Sequence, residues 1–343
     1  MYIENKVIKN YISIWLLSMF SIVSIIIVIG GLTRLTDSGL SITEWQLFSG
    51  IFPPLNEDQW NIYFDLYKKI PEYKLQNHSM SLSEFKVIFL WEFIHRFLGR
   101  FIGIAFFFPL VFFSFKIGFK KLLNLHLIFF LICLQGFVGW YMVSSGLVDR
   151  IDVSHFRLSL HLLIAFLILT LIFWNYLKLK NLSYSGKKLN PIMPIFFLIL
   201  IFCQIGLGAF VSGLDAGKIY NSWPLMGSTY FPDDSNFYNL FKLDVFSDPS
   251  MVQFLHRNLA YLIFIFYLVI LFLTYKNNLF IFFKTVKIMG LLLFLQIVLG
   301  ILTLFSGAQI VLSSMHQISS IFLIIICVYF LYLNSNTSLQ LSD

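Results

Sequence analysis

The chain has 343 residues, 58% of them hydrophobic and only 12% charged, with a mean hydropathy of +0.82. A water-soluble domain carries about 25% charged residues, so that class is excluded. The net charge of +7 does not point to nucleic acid either, because the lysines gather in short connections between apolar runs rather than in one basic patch.

Eight apolar runs follow along the chain, at 11–33, 87–113, 122–145, 158–178, 192–213, 251–275, 284–305 and 313–333. Each is long enough to cross a hydrocarbon core as a helix of about 20 residues. The expected fold is therefore an all-α integral membrane protein with eight transmembrane helices. The first run exceeds a signal h-region and no small-residue cleavage site follows it, so it reads as a retained span. With spans that alternate in direction, Lys6, Lys9, Lys116, Lys120, Lys121, Lys178, Lys180, Lys187, Lys188, Lys276, Lys284 and Lys287 share one side. The positive-inside rule makes that side cytoplasmic and puts both termini there. The biased use of Ile, Lys, Asn and Phe suits an AT-rich genome, and the inner cell membrane of a bacterium is the expected location.

Two connections on the other side are long, 34–86 and 214–250, and rich in Pro, Gly, Asp and aromatics. They read as ordered caps, since loops of this length inside compact proteins are usually functional. Cys133, Cys203 and Cys327 all fall inside apolar runs; no disulfide framework is indicated, and they read as small apolar packers.

The second span opens with WEFIHRFLGR (91–100), which places Glu92, His95, Arg96 and Arg100 in hydrophobic surroundings. Its FIHRFLGR (93–100) returns in the sixth span as FLHRNLAY (254–261), QGFVGWYMVSSG (135–146) returns as QIVLGILTLFSG (296–307), and TDSGLSITEW (36–45) resembles LDAGKIYNSW (214–223). The chain thus reads as two four-helix halves, 1–180 and 190–343. Four spans per half give both the same orientation, so the bundles form a parallel repeat with a pseudo-twofold axis along the membrane normal.

Topology sorts the histidines. His95, His161, His256 and His316 lie on spans two, four, six and eight, each near the start of a span that runs inward. Ionisable groups inside a bilayer are functional candidates by default. Two imidazoles per bundle at one depth is the arrangement that clamps a planar iron macrocycle. Zinc fits less well, because no acid or cysteine is spaced to complete a tetrahedral shell. Gly99 and Ala260 lie one turn beyond His95 and His256, and such small residues are expected to let a flat ring approach the helix. His126 reads as structural; His78 and His155 fall in outer loops.

The arginines (Arg34, Arg96, Arg100, Arg150, Arg157, Arg257) all lie toward the outer side. A guanidinium fork suits carboxylates, so Arg34, Arg96, Arg100, Arg157 and Arg257 are candidate contacts for haem propionates. One asymmetry stands out between the halves: Glu92 has Gln253 as its counterpart. Burying an acid in a span costs roughly 2.5–3.5 kcal/mol, so a carboxyl kept in one half only suggests proton chemistry or stabilisation of positive charge there. A Glu92–Arg96 ion pair one turn apart is the plain alternative.

GGLTRLTDSGLSITEW (30–45), EFIHRFLGR (92–100), GLDAGKIYNSWPLM (213–226), QFLHRNLAY (253–261) and MHQ (315–317) together resemble the haem A synthase family, in its alphaproteobacterial and mitochondrial branch, over nearly the whole chain. The resemblance implies that haem O is the substrate, held in the N-terminal half, where its C8 methyl group is oxidised to a formyl group by successive hydroxylations. It implies His95 and His161 at the substrate haem iron, His256 and His316 at the iron of a haem b cofactor, and Glu92 as the family's glutamate. It further implies haem O synthase and the terminal oxidase assembly machinery as partners. The electron donor is not named, and a homo-oligomer is compatible with this reading. The cysteine pair that some bacterial members carry in the first outer loop is missing here. Rival readings are a di-haem b, quinol-oxidising electron-transfer cytochrome and a haem carrier; both share the four histidines, and neither needs Glu92.

Overall fold

A computed structural model describes residues 5–45, 50–182 and 184–338. Positions 46–49 of the first long loop and the outermost residues of both expected halves lie outside the described residues. Eight helices among the described residues are long and apolar enough to cross a membrane, so the eight expected spans are all present. They are α1 (Lys6–Leu35), α4 (Leu82–Ile117), α5 (Leu123–Asp149), α6 (His155–Lys180), α7 (Ile192–Gly213), α8 (Pro249–Lys276), α9 (Phe280–Phe305) and α10 (Ile310–Ser335). Two short helices, α2 (Glu57–Tyr67) and α3 (Pro71–Leu75), belong to the first long loop.

Most helices outrun the apolar segments that announce them, because hydropathy marks the hydrocarbon core whereas helix ends are set by capping. In α4 the Ser81 hydroxyl accepts from the Glu84 amide while the Glu84 side chain accepts from the Ser81 amide, a capping box that starts the helix well outside the apolar run. Pro249 begins α8, whose first amides donate to the Asp248 side chain, satisfying groups that a helix start leaves unpaired.

One apolar core runs through all eight long helices, from Ile12, Leu16 and Met19 on α1 to Ile324, Val328 and Phe330 on α10. Helices α1, α4, α5 and α6 pack among themselves, as do α7, α8, α9 and α10, and the two groups meet where α1 and α6 face α7 and α10. At one end of the bundle, α2 and α3 form a cap with a core of its own, in which Leu40, Ile42, Phe64, Tyr67, Phe85 and Phe89 are buried. At the other end the short strands β1 (Tyr184–Ser185) and β2 (Thr337–Ser338) pair in parallel. Asn334 there bonds both backbone groups of Leu189, tying the central connection to the last helix.

The chain leaves α1 and α7 in the same way. Asp37 (φ 47°) and Asp215 (φ 50°) both adopt the left-handed conformation, which Asp tolerates better than most residues.

Candidate functional site

His95, His161, His256 and His316 all line one cavity of about 1360 Å³ near the capped end of the bundle. The ring centroids of His95 and His161 lie 6.3 Å apart with their planes at 69°. His256 and His316 face the same cavity from α8 and α10.

Each ring rests on a glycine of a neighbouring helix. A Cβ added at Gly30 on α1 would meet His95 at 3.1 Å, one at Gly139 on α5 would meet His161 at 2.9 Å, one at Gly208 on α7 would meet His256 at 3.3 Å, and one at Gly300 on α9 would meet His316 at 3.2 Å. Ordinary carbon contacts are longer, about 3.5–4.0 Å, so a side chain at Gly139 would have to displace its ring, and at Gly30, Gly208 and Gly300 the ring would have to give by a few tenths of an ångström. Gly99 and Ala260, expected to let a flat ligand approach the helix, both line the cavity, and a Cβ at Gly99 would find only Ile26, at 3.9 Å.

Three glutamines fix the histidine backbones. Gln135 donates to the carbonyl of His161, Gln204 to that of His256 and Gln296 to that of His316, at 3.0, 3.0 and 3.1 Å. Gln317, next in chain to His316, donates to the carbonyl of Ile27 at 2.9 Å and lies where a side chain at Gly31 would be. The last helix is thereby keyed into α1 beside the glycine that carries His95.

The donor set suits a planar iron macrocycle. Among the described residues no group of three His, Cys, Asp or Glu is placed to hold a bare ion. Two imidazoles each about 2 Å from a metal, with their ring centres roughly another 1 Å back, would stand about 6 Å apart, which matches the His95–His161 separation. The cavity is mostly apolar-lined, as a porphyrin face requires.

The arginines divide. Arg34 is nearly buried and its ends are occupied: Nη1 bonds Asp37 at 2.7 Å and stands 3.6 Å from Asp152, while Nη2 bonds the Ser212 carbonyl at 2.9 Å and Asp215 at 3.4 Å. It bridges the ends of α1 and α7, with only its Nε left unpartnered. Arg100 donates to the carbonyl of Gly50. Arg157 bonds the Ser145 hydroxyl and covers the Tyr141 ring, and it does not line the cavity, whereas Arg34, Arg96, Arg100 and Arg257 do.

Glu92 is 2% exposed and wholly engaged. Its Oε2 accepts from the Ser41 hydroxyl and the Ile42 amide, both at 2.7 Å. Its Oε1 accepts from Arg96 Nη2 at 2.6 Å and Nε at 3.0 Å. Arg96 also donates to the carbonyl of Ile42 at 2.8 Å. In the C-terminal spans, Gln253 and Arg257 both donate to the carbonyl of Tyr220, at 3.1 and 3.0 Å. The carboxyl can accept an amide as well as a guanidinium, and the amide side chain donates to a carbonyl instead. Each variant pins its own loop over its own histidine pair.

One acid that the sequence did not single out belongs here. Glu72, on α3, is 3% exposed, lines the cavity and has a buried Oε2 with no hydrogen-bond partner among the described residues. Burial first, and then the nearby charges of Asp152, Glu92 and Asp37, push its pKa up to about 8. The signal was the density of aromatics around it, Trp60, Tyr63, Phe64, Tyr67 and Tyr73, which shows that this loop folds over a core. The remaining histidines are peripheral: His126 bonds Ser114 and the Leu122 carbonyl, His155 packs on Phe156 and Phe210, and His78 is exposed.

Residues 13–328 match the COX15-CtaA family, described as cytochrome oxidase assembly protein. The chain belongs to that family. Among curated relatives, "Heme A synthase" of Pelagibacter ubique (strain HTCC1062) is 49% identical over 340 residues, covering 98% of this chain and all of the relative. "Heme A synthase" of Rickettsia bellii (strain OSU 85-389) is 42% identical, covering 92% of this chain and 96% of the relative. The protein of the same name from Flavobacterium johnsoniae is 39% identical, covering 96% and 98%. The COX15-CtaA match thus spans both histidine pairs and the glycines on which they rest.

Proposed function

We propose that this chain is a haem A synthase: an oxidoreductase that takes haem O between His95 and His161 and oxidises its C8 methyl group to a formyl group by successive hydroxylations. The observation that carries the reading is the pair of bis-histidine seats, each ring backed by glycine, opening on one cavity. The names and near-complete coverage of the relatives support it.

In this reading the chain is two halves, 1–180 and 190–343, with the substrate in the first and a haem b cofactor in the second, between His256 and His316. Bound there, haem b supplies a one-electron redox centre. Positions in the first half that face open space carry bulk in the second. A Cβ at Gly136 would meet nothing within 4 Å, whereas its counterpart is Ile297. The roomier first seat suits a haem with a long isoprenoid tail, and the tighter second seat suits a resident cofactor.

The chain's own groups position and shield. The glycines set the depth of each imidazole, the glutamines fix the ligand backbones, and Glu92 with Arg96 holds the loop from Ser41 to Glu44 over the first seat. Arg96, Arg100 and Arg257 remain as the basic groups along the wall for propionates. Arg34 serves mainly to join the two loops. The capped end faces outward from a bacterial inner membrane with both termini cytoplasmic, and haem O synthase and the terminal oxidase assembly machinery are the expected partners.

The test is a haem inventory of the purified full chain from cells supplied with haem O. Wild type should yield haem b, haem O, an alcohol intermediate and haem A. His95→Ala should retain haem b without formyl product, and His256→Ala should lose haem b. Haem O recovered unconverted from wild type would overturn the reading.

A further inference from the structure

Oxidising a methyl to a formyl group removes two hydrogens from one carbon and adds an oxygen, and the protons that move with that change must cross the wall of a mostly apolar cavity. Some group must therefore pass protons between the first seat and the aqueous phase. Glu92 is the obvious acid, yet its geometry disqualifies it. A carboxylate offers about four acceptor positions, and Ser41, Ile42 and two nitrogens of Arg96 take four.

Glu72 has the vacancy that Glu92 lacks. It reaches the same cavity from the cap rather than from a span. One of its oxygens is buried without a partner among the described residues, a position costly for a polar atom unless something binds there. It also interacts with the Tyr67 hydroxyl, which accepts from Asn77 Nδ2 at 2.8 Å. The charged groups facing it are Asp152 and Asp37, both held by Arg34, and Glu92, held by Arg96. Asp152 and Asp37 also line the cavity, and their side chains are 35% and 59% exposed. The acids Glu72, Asp152 and Asp37 thus form a series of rising exposure from cavity to water. Among the described acids of the C-terminal loop, Asp215 lines the cavity but its side chain is 46% exposed and paired with Arg34, and Asp233, Asp234, Asp244 and Asp248 do not line it, so none of them matches the buried Glu72.

We propose that Glu72 is the proton port of the N-terminal seat, exchanging protons between the cavity and the water at the capped end by way of Asp152 and Asp37. In each cycle a proton from the cavity binds the Glu72 carboxylate to give the neutral acid. That acid then releases a proton to the Asp152 carboxylate or to water beside it and returns to the carboxylate; no electron moves. A carboxyl with an affinity near that of the medium both takes and gives a proton readily, and burial beside other acids raises Glu72 into that range. Which acid meets which seat matters here, because the port rests on the haem O reading of the first seat.

The experiment uses the haem-loaded full chain and two readouts. Infrared spectra recorded from below to above pH 8 should show a protonated-carboxyl band that disappears across about 8 and is missing from Glu72→Gln. Formyl production should break at the same pH in wild type, fall about tenfold or more in Glu72→Gln, and keep a displaced break in Glu72→Asp. In Tyr67→Phe the break should move upward, since the hydroxyl favours the charged carboxyl. Haem content of each variant checks folding, and Glu72→Asp and Tyr67→Phe carry the test should Glu72→Gln lose its haem. A band or a break that persists unchanged in Glu72→Gln overturns the port. A wild type that shows the Glu72 band but makes no formyl product overturns the substrate reading, and with it the port's role in methyl oxidation, while still showing that Glu72 takes up and releases a proton.

Discussion

The imidazole of His161 packs so closely on the backbone of Gly139 that a single added carbon at position 139 would lie 2.9 Å from its Cε1. The equivalent distance from Gly300 to His316 is 3.2 Å. Gly139→Ala should therefore displace its ring, whereas Gly300→Ala asks for only a few tenths of an ångström. Alanine is favoured over glycine in a helix by up to about 1 kcal/mol, so stability is a poor readout. Haem content is the right one. Gly139→Ala should lose haem O from the first seat several-fold while retaining haem b, and Gly300→Ala should lose haem b more mildly.

Glu92 accepts from a hydroxyl, an amide and a guanidinium at once. Glu92→Gln would turn an amide donor toward some of those donors and leave Arg96 without its counter-charge. Breaking one partner of a buried ion pair costs about 3–5 kcal/mol. The variant should melt markedly lower and convert haem O poorly. Formyl production at the wild-type level, measured by chromatography of extracted haem, would show that no carboxyl is required at this position.

The open space beside Gly136 should admit part of a bulky haem. Gly136→Ile imports the residue that its counterpart, Ile297, already carries. The substitution should leave haem b content unchanged and cut haem O uptake and conversion at least several-fold, read by the haem inventory of the purified chain.

Arg34 holds Asp37, Asp152 and Asp215 together across the ends of α1 and α7. These carboxylates are partly exposed, so Arg34→Gln should cost about 1 kcal/mol rather than several. The melting difference from wild type should shrink as salt is raised, because screening weakens exposed pairs.

Glu72 gives the fold a pH dependence of defined sign. Its folded pKa, about 8, exceeds the ordinary 4.5, so between those values the folded chain binds more protons than the unfolded one. Stability from this group then declines as pH rises from 4.5 to 8 and levels off above. Melting midpoints should show that slope in wild type and lose it in Glu72→Gln.

The sequence disclosed what depends on hydrocarbon and on spacing. Eight spans followed from apolar length, and His95, His161, His256 and His316 followed from their depth on helices of one direction. What it concealed was set by contacts between distant segments. Arg34 looked free for a propionate because Asp152 approaches it only after two further spans, and Asp215 only after four. Gly30, Gly139, Gly208 and Gly300 looked like ordinary helix glycines, since each serves a ring on a different helix. Glu72 carried no mark of its own in the sequence, and only the folding of the cap around Phe64, Tyr67 and Phe85 takes it out of water.

Gln317 fills the notch over Gly31, so the wall behind His95 is finished by the final helix to be made. During synthesis the first four spans, α1, α4, α5 and α6, can be threaded into the bilayer with His95 and His161 in place and still present an unfinished pocket. On the proposed reading, haem is expected to load only once α10 has joined the bundle, late in the life of the chain rather than along its insertion.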